Sequence, residues 1–305
     1  MATGAVQASS VGFWGRFGAL SQPRYRRYWL GSLASVGAIQ VVLIGQGWLI
    51  VDKLHGPPLA LGYVGAATAV PTILINIFGG VLADRLDRRW LLMVTSLISA
   101  ALLMLLAALD LTGVVQIWHV VAIAALQGTV LGFDAPTRNA FFPALIDREH
   151  MMSAVALNSV MWQFSRIVTP SIGGVLIHLL GTEAVFLLGA AGFGAMFAVL
   201  VTLKVVHVPP QVHRNVLANL LEGITYISRN RLFLVLVPLT YANMFFGMQY
   251  IQLMPLFAQD FAVGSAGLGV ILSFLGLGAI TGTVIIGKLQ AVRRLGRLRD
   301  YLKNR

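Results

Sequence analysis

The stretch that decides the fold is residues 79–89, which read Gly-Gly-Val-Leu-Ala-Asp-Arg-Leu-Asp-Arg-Arg. It lies between two long apolar runs, and its charged residues are crowded between Asp84 and Arg89. A helix needs about 20 mostly apolar residues to cross the ~30 Å hydrocarbon core of a bilayer. Both flanking runs reach that length. The stretch is therefore predicted to be a short charged turn between two membrane-spanning helices.

The composition of the whole chain is that of a membrane protein. Of its 305 residues 57% are hydrophobic and only 11% are charged, and the mean hydropathy is +0.81. A soluble domain has about 25% charged residues and needs them to cover its surface. The net charge of +11 would indicate nucleic acid in a soluble protein, but here the charges lie between apolar runs. We therefore predict the lipid bilayer as a partner and no nucleic acid.

Eight apolar runs predict an all-α fold with eight spans, and the Gly and Pro residues within them are tolerated by packed membrane helices. The predicted spans are Tyr28–Val51, Leu59–Ala83, Trp90–Leu111, Val115–Phe133, Ala154–Leu180, Ala184–Val206, Leu232–Met254 and Leu268–Gly287.

The basic residues predict the orientation of these spans. If the N-terminus is cytoplasmic, 20 of the 22 Lys and Arg residues fall in the cytoplasmic leader, loops and tail. The exceptions are Lys53, in an outer loop, and Arg166, within span 5. Cytoplasmic loops of membrane proteins carry an excess of Lys and Arg. We therefore predict a multi-pass protein of the cell inner (plasma) membrane with both termini in the cytoplasm.

The spacing of the spans predicts five regions along the chain. One connection is much longer and more polar than the others and carries Pro209 and Pro210, so it reads as a linker between two bundles. The regions are a cytoplasmic leader over 1–27, a six-span bundle over 28–206, a cytoplasmic linker over 207–231, a partial two-span bundle over 232–287 and a basic cytoplasmic tail over 288–305.

Residues 79–89 resemble the major facilitator signature Gly-x-x-x-Asp-Arg-x-Gly-Arg-Arg. The matching residues are Gly80, Asp84, Arg85, Arg88 and Arg89. Asp87 stands where the signature has Gly. The resemblance implies a breakable cytoplasmic gating latch, in which the Gly allows close helix approach and the Asp pairs with Arg or a helix N-terminus. A generic basic loop would explain the arginines but not Gly80 and Asp84 at this spacing.

A second resemblance lies in span 5, where Pro170, Gly173 and Gly174 are similar to the Gly-Pro-x-x-Gly-Gly element of major facilitator exporters. Proline kinks the helix and the glycines allow close packing, so ordinary helix packing is an equally good interpretation. Residues 24–31, 134–143 and 156–159 resemble the branch that includes the enterobactin exporter and macrolide efflux proteins. The resemblance covers residues 24–287. It implies a twelve-span fold that exports by alternating access, of which four spans would be absent.

Five residues are candidate contacts for cargo or for coupling. Arg166 lies halfway through span 5, where a charge costs ~2.5–3.5 kcal/mol and should face a polar interior. On a helical wheel, Ser159, Gln163, Pro170 and Gly173 fall on its side. Cargo binding competes with a structural role in which Arg166 bonds carbonyls or Asp134. The complete set of candidates is Arg166, Gln40, Gln127, Asp134 and Tyr241. Gln40 and Gln127 could instead form hydrogen bonds between helices. Tyr241 could instead belong to an ordinary helix-packing surface.

The sequence offers little support for enzyme chemistry. There are no cysteines, no His-x-x-x-His pair and no phosphate-binding Gly-x-x-x-x-Gly-Lys loop, so we predict no cofactor, no metal and no catalytic activity. No acid lies near mid-bilayer, so the proton gradient is implied as a partner by the resemblance alone. The predicted function is secondary active export of a lipophilic drug or a siderophore-like small molecule. The alternatives are a truncated or partner-assembly membrane protein that does not transport, and a membrane-embedded enzyme.

Overall fold

A computed structural model describes residues 18–203, 225–247 and 250–291, without the side chains of 77–85, 244–245, 250, 252, 279–280 and 283–291. Every regular element in these ranges is helical, which confirms the predicted all-α membrane fold. The helices are α1 Pro23–Trp48, α2 Pro58–Arg85, α3 Arg88–Leu111, α4 Ile117–Phe141, α5 Met151–Leu180, α6 Thr182–Thr202, α7 Arg231–Gly247, α8 Tyr250–Asp260 and α9 Gly264–Ala291. A π-helical turn, Leu49–Lys53, extends α1.

Several helix ends carry residue types that favour the start or the end of a helix. Pro23 occupies the first turn of α1, where its missing N–H costs nothing. Asp87 precedes α3, and its side chain accepts a hydrogen bond from the backbone N–H of Trp90 at 2.9 Å. Gly181 separates α5 from α6 with φ of +87°, a backbone conformation that side-chain-bearing residues rarely adopt. The turn after α2 is therefore short and capped, as residues 79–89 predict.

Five helical segments are long and apolar enough to cross a membrane when only the described residues are considered. They are Pro23–Lys53, Pro58–Asn76, Arg88–Leu111, Ile117–Leu145 and Thr182–Thr202. Shorter apolar stretches lie in α7 and α9, at Arg231–Asn243 and Gly264–Gly278. Helix α5 has 30 residues, but it is not among the five because polar residues such as Asn158, Gln163 and Arg166 lower its hydropathy.

Two predicted spans have different bounds in the structure. Span 4 was predicted to end at Phe133, but α4 continues to Phe141 because Asp134 and Arg138 pair with each other inside the bundle. The helical segment of predicted span 7 continues past Met254 to Asp260, where α8 ends. Positions 1–17, 204–224, 248–249 and 292–305 lie outside the described residues. Most of the predicted leader, linker and tail falls on them, so the five-region division stays a prediction.

Helices α1 to α6 pack into one bundle. Helix α2 packs on α4, α3 packs on α4 and α6, and α1 packs on α5 and α6. One apolar core runs through the bundle, and a second lies at the end that holds the N-termini of α1, α3 and α5. We call this the basic end. Helix α9 lies along α5, while α8 contacts α1, its π-helical turn and α2, so these two helices cover part of one side of the bundle.

Candidate functional site

Arg88 and Arg89 bind the C-terminal ends of two other helices. Arg88 Nη1 donates to the carbonyl oxygen of Ala140 in α4 at 3.0 Å. Arg89 donates from Nε to the Leu200 carbonyl oxygen at 2.7 Å and from Nη2 to that of Val201 at 2.9 Å, both in α6. Carbonyls in a last turn have no intrahelical partner and carry the negative end of the helix dipole. The two arginines therefore tie α3, α4 and α6 together at the basic end.

Asp87 stands where the major facilitator signature has Gly, and the structure gives a local reason, because Asp87 caps α3. An aspartate there satisfies a backbone donor that glycine would leave to water. The other matching residues, Gly80, Asp84 and Arg85, lie in the C-terminal turns of α2, and their side chains are outside the described set. Their role as a latch stays a prediction.

A buried ion pair lies between α1, α3 and α4. Arg138 Nε donates to Asp134 Oδ2, and these residues are only 8% and 4% exposed. Thr95 Oγ1 donates to Asp134 Oδ1 at 3.2 Å, and Arg138 Nη1 donates to Ser32 Oγ at 3.3 Å. The structure thus places Asp134 with Arg138 and Thr95. Sequence reasoning missed Arg138, which was counted as a loop residue; its spacing of four from Asp134 was the available signal.

Gln127 lies against α3. It is 8% exposed, and its Nε2 donates to the Ser99 carbonyl oxygen at 3.2 Å. At the next residue, Gly128, a Cβ atom would lie 2.2 Å from the carbonyl oxygen of Thr68 in α2. Gln127-Gly128 is therefore a site of close helix contact, which favours the packing interpretation of Gln127.

The glycines of α5 contact two different helices. A Cβ atom at Gly174 would lie 2.7 Å from the Cα and backbone N of Gly269 in α9, so the two backbones touch. A Cβ atom at Gly173 would lie 2.7 Å from Val41 Cγ2 in α1. Pro170 is buried within the helix. The exporter-type element therefore lies where α5 is held between α1 and α9.

Arg166 lies on the side of α5 between these two contacts. Toward α1 lie Thr169 and Gly173; toward α9 lie Ile167 and Gly174. At about 100° per residue, Arg166 falls between the two pairs, in the groove that α1 and α9 border. We call this the α5 groove.

The predicted polar stripe of α5 changes from exposed to buried along its length. Ser159, Gln163 and Arg166 are exposed, whereas Pro170 and Gly173, on the same side of the helix, are buried. The α5 groove is therefore open toward the basic end and closed toward the opposite end. Near that opposite end, Pro255 of α8 approaches Gly47 of α1, where a Cβ atom would lie 3.0 Å from Pro255 Cγ.

Gln40 and Tyr241 occupy different surroundings. Gln40 is half-buried in α1, one residue before the Val41 that contacts Gly173. Tyr241 is 70% exposed on α7. The residues predicted to share its face, Phe245, Met248 and Gln252, lie outside the described side chains. The structure therefore places Gln40 on a helix that packs against α5 and places Tyr241 on α7.

The predicted outer end of the bundle contains the one basic loop residue that departs from the charge pattern. Lys53 Nζ lies 2.8 Å from Asp110 Oδ1 and 3.0 Å from Glu183 Oε2. Thr182 Oγ1 donates to the other Asp110 oxygen. The Asp110 side chain is fully buried, so the cluster links the ends of α1, α3 and α6 and compensates its charge.

A bundle of apolar helices with this signature turn is the fold of the major facilitator class of membrane proteins. The chain belongs to the transmembrane secretion effector family of that class, whose model matches residues 14–299.

Among curated relatives, the chain is 25% identical over 253 residues to the staphyloferrin A transporter of Staphylococcus aureus (strain NCTC 8325 / PS 47), covering 81% of this chain and 62% of the relative. It is 26% identical over 284 residues to the enterobactin exporter EntS of Escherichia coli O139:H28 (strain E24377A / ETEC), covering 91% and 66% respectively. It is 25% identical over 191 residues to the uncharacterized MFS-type transporter YfiS of Bacillus subtilis (strain 168), covering 61% and 45%. The chain thus spans less than two thirds of the length of these relatives.

Proposed function

We propose that the protein takes part in secondary active export of a small molecule of the siderophore or drug class across the plasma membrane, by alternating access. The observation that carries the proposal is the α5 groove, a polar surface within a helical bundle that is open at one end and closed at the other. Transporters of this kind bind cargo near the membrane midplane between two bundles.

The orientation of the groove in the membrane is proposed from the charge pattern. The basic end carries Arg24, Arg27 and Arg148 as exposed residues, so we place it in the cytoplasm with both termini. Cargo would then enter the α5 groove from the cytoplasm. Arg166 and Gln40 are the proposed cargo contacts within the bundle, and Tyr241 is a further candidate on α7.

Coupling to protons is proposed on the family resemblance. Asp134 is the candidate acid within the bundle, because its carboxylate is held by Arg138 and Thr95 and not by solvent. Protonation would weaken its attraction to Arg138 and thereby loosen the contact between α1 and α4. The gating role of Gly80, Asp84, Arg85, Arg88 and Arg89 belongs to the same proposal.

The experiment is a comparison of small molecules released by cells with and without the gene, grown with ample and with limiting iron. Cells with the gene should release at least one compound that the deletion strain retains, and re-expression should restore the release. Identical profiles under both conditions would contradict an export function.

A further inference from the structure

We propose that the cargo of the α5 groove is an anion and that Arg166 is the residue that recognises its charge. This inference rests on the proposed export function and narrows it to one chemical class. An acidic small molecule, such as a carboxylate, would fit the site, whereas a cationic drug would not.

The first argument is the charge of the helices around the groove. Helices α1, α5 and α9 contain no Asp or Glu. In the other helices of the bundle, the buried acids with described side chains are Asp110 and Asp134, and these are held by Lys53 and Arg138. The helices that border the groove therefore contribute positive charge only, through Arg166 at mid-span.

The second argument is the energy of transfer. A cargo ion that leaves water for a groove within the membrane loses solvation and needs an opposite charge to replace it. The guanidinium offers five donors in a planar fork that matches a carboxylate. Gln163 and Ser159, exposed one and two turns away on the same side, add neutral donors. A cation in the same position would lose its solvation and also meet a like charge.

The test compares three probes of similar shape and different charge: 4-nitrobenzoate, 4-nitrobenzamide and 4-nitrobenzylammonium. The purified 305-residue chain is placed in phosphatidylcholine nanodiscs, and binding is measured by equilibrium dialysis. We expect 4-nitrobenzoate to bind at least about 10-fold more tightly than the other two, as a charged hydrogen-bonded pair warrants. Arg166→Gln should remove this preference and Arg166→Lys should keep part of it. The control Arg148→Gln, at an exposed residue outside the groove, should leave it unchanged.

Several outcomes would overturn the proposal. Equal binding of the three probes, tighter binding of the ammonium, or a preference that survives in Arg166→Gln would each do so. The thermal unfolding of each variant shows whether it is folded, and Arg166→Lys gives the answer if Arg166→Gln is not. The phosphate of a bound lipid is also an anion that Arg166 could bind. If a few mole per cent of phosphatidylglycerol displaced 4-nitrobenzoate, the site would belong to a lipid headgroup and the cargo assignment would fail.

Efflux from cells with and without the gene separates this inference from the proposed function. Cells are loaded with carboxyfluorescein, an anion, or ethidium, a cation. Faster efflux of carboxyfluorescein alone supports both proposals. Faster efflux of ethidium alone leaves the export function standing and overturns the anionic cargo. Efflux of neither probe, together with selective binding of 4-nitrobenzoate, supports the anion site and counts against export.

Discussion

Single residues at the basic end show how one short turn can serve both folding and function. Asp87 caps α3, and Arg88 and Arg89 bind the ends of α4 and α6. These roles hold the bundle together. Asp84 and Arg85, one turn earlier in the chain, belong with Gly80, Arg88 and Arg89 to the predicted latch, and the gating role of these residues stays a prediction.

The first prediction concerns the gate. Asp84→Asn should reduce export severalfold while membrane insertion stays normal, because the change removes a charge that pairs across the latch without altering hydrophobic partition. Export from cells and the amount of protein in purified membranes are the two measurements. Asp87→Asn is the matched control, since asparagine caps a helix nearly as well as aspartate. Normal export by Asp84→Asn in the complete transporter would remove this residue from the mechanism.

A second prediction at this scale concerns the buried pair. Removing one partner of a buried ion pair leaves the other charge uncompensated and costs about 3–5 kcal/mol. Arg138→Gln should therefore lower the thermal unfolding temperature strongly in detergent. The double variant Asp134→Asn/Arg138→Gln should recover part of the loss, because no isolated charge remains. Arg148→Gln, at an exposed residue, is the control. A double variant less stable than Arg138→Gln would argue against the pair as the cause.

Among the elements, α5 is the one on which both the packing of α9 against the bundle and the proposed cargo surface depend. Its glycines contact α1 on one side and α9 on the other, and its polar row lies between them. The sequence predicts most of this arrangement, because Pro170, Gly173, Gly174 and Arg166 have helical spacing. It does not predict that the stripe is half exposed and half buried. That division depends on how α1 and α9 converge, which local spacing does not encode.

The third prediction tests the crossing of α5 and α9. Gly174→Ala places a methyl group against the backbone of Gly269, which cannot rotate away, so the two helices must separate. We expect a lower unfolding temperature and impaired export. Gly194→Ala is the control, because a Cβ atom there has no neighbour within 4 Å among the described atoms. Equal effects of the two substitutions would contradict a specific role for the crossing.

Other elements show where sequence reasoning stops. The end of α4 was predicted two turns too early because Asp134 and Arg138 look like loop residues when read singly. Only the partner across four positions, together with Thr95 and Ser32, makes their burial favourable.

At the scale of the whole molecule, most basic residues of the described bundle lie at one end. In the described part of α1 to α6, the basic residues other than Lys53 and Arg166 lie at the helix ends that the sequence predicts to be cytoplasmic, and Lys53 at the opposite end is compensated by Asp110 and Glu183. The charge of Lys53 is therefore neutralised and does not oppose the predicted orientation, in which the basic end lies in the cytoplasm.

The fourth prediction tests this orientation. Reporter fusions after Asp52 and after Arg305 should report the outside and the inside of the cell, respectively. Alkaline phosphatase and green fluorescent protein give opposite responses to the two compartments, so each fusion has an internal check. The reverse pattern would refute the eight-span topology and also the direction of transport proposed above.

The contacts that join the first helix to the rest of the bundle also dictate when it can finish folding on the ribosome. Tyr25 bonds the carbonyl oxygen of Ala154, and Lys53 bonds Glu183; these partners are separated by 129 and 130 residues. At about 5–20 residues per second, synthesis of the later partner takes on the order of 10 s more. Until α5 and α6 have been synthesised, α1 lacks these two bonds, so we expect it to finish packing late in synthesis.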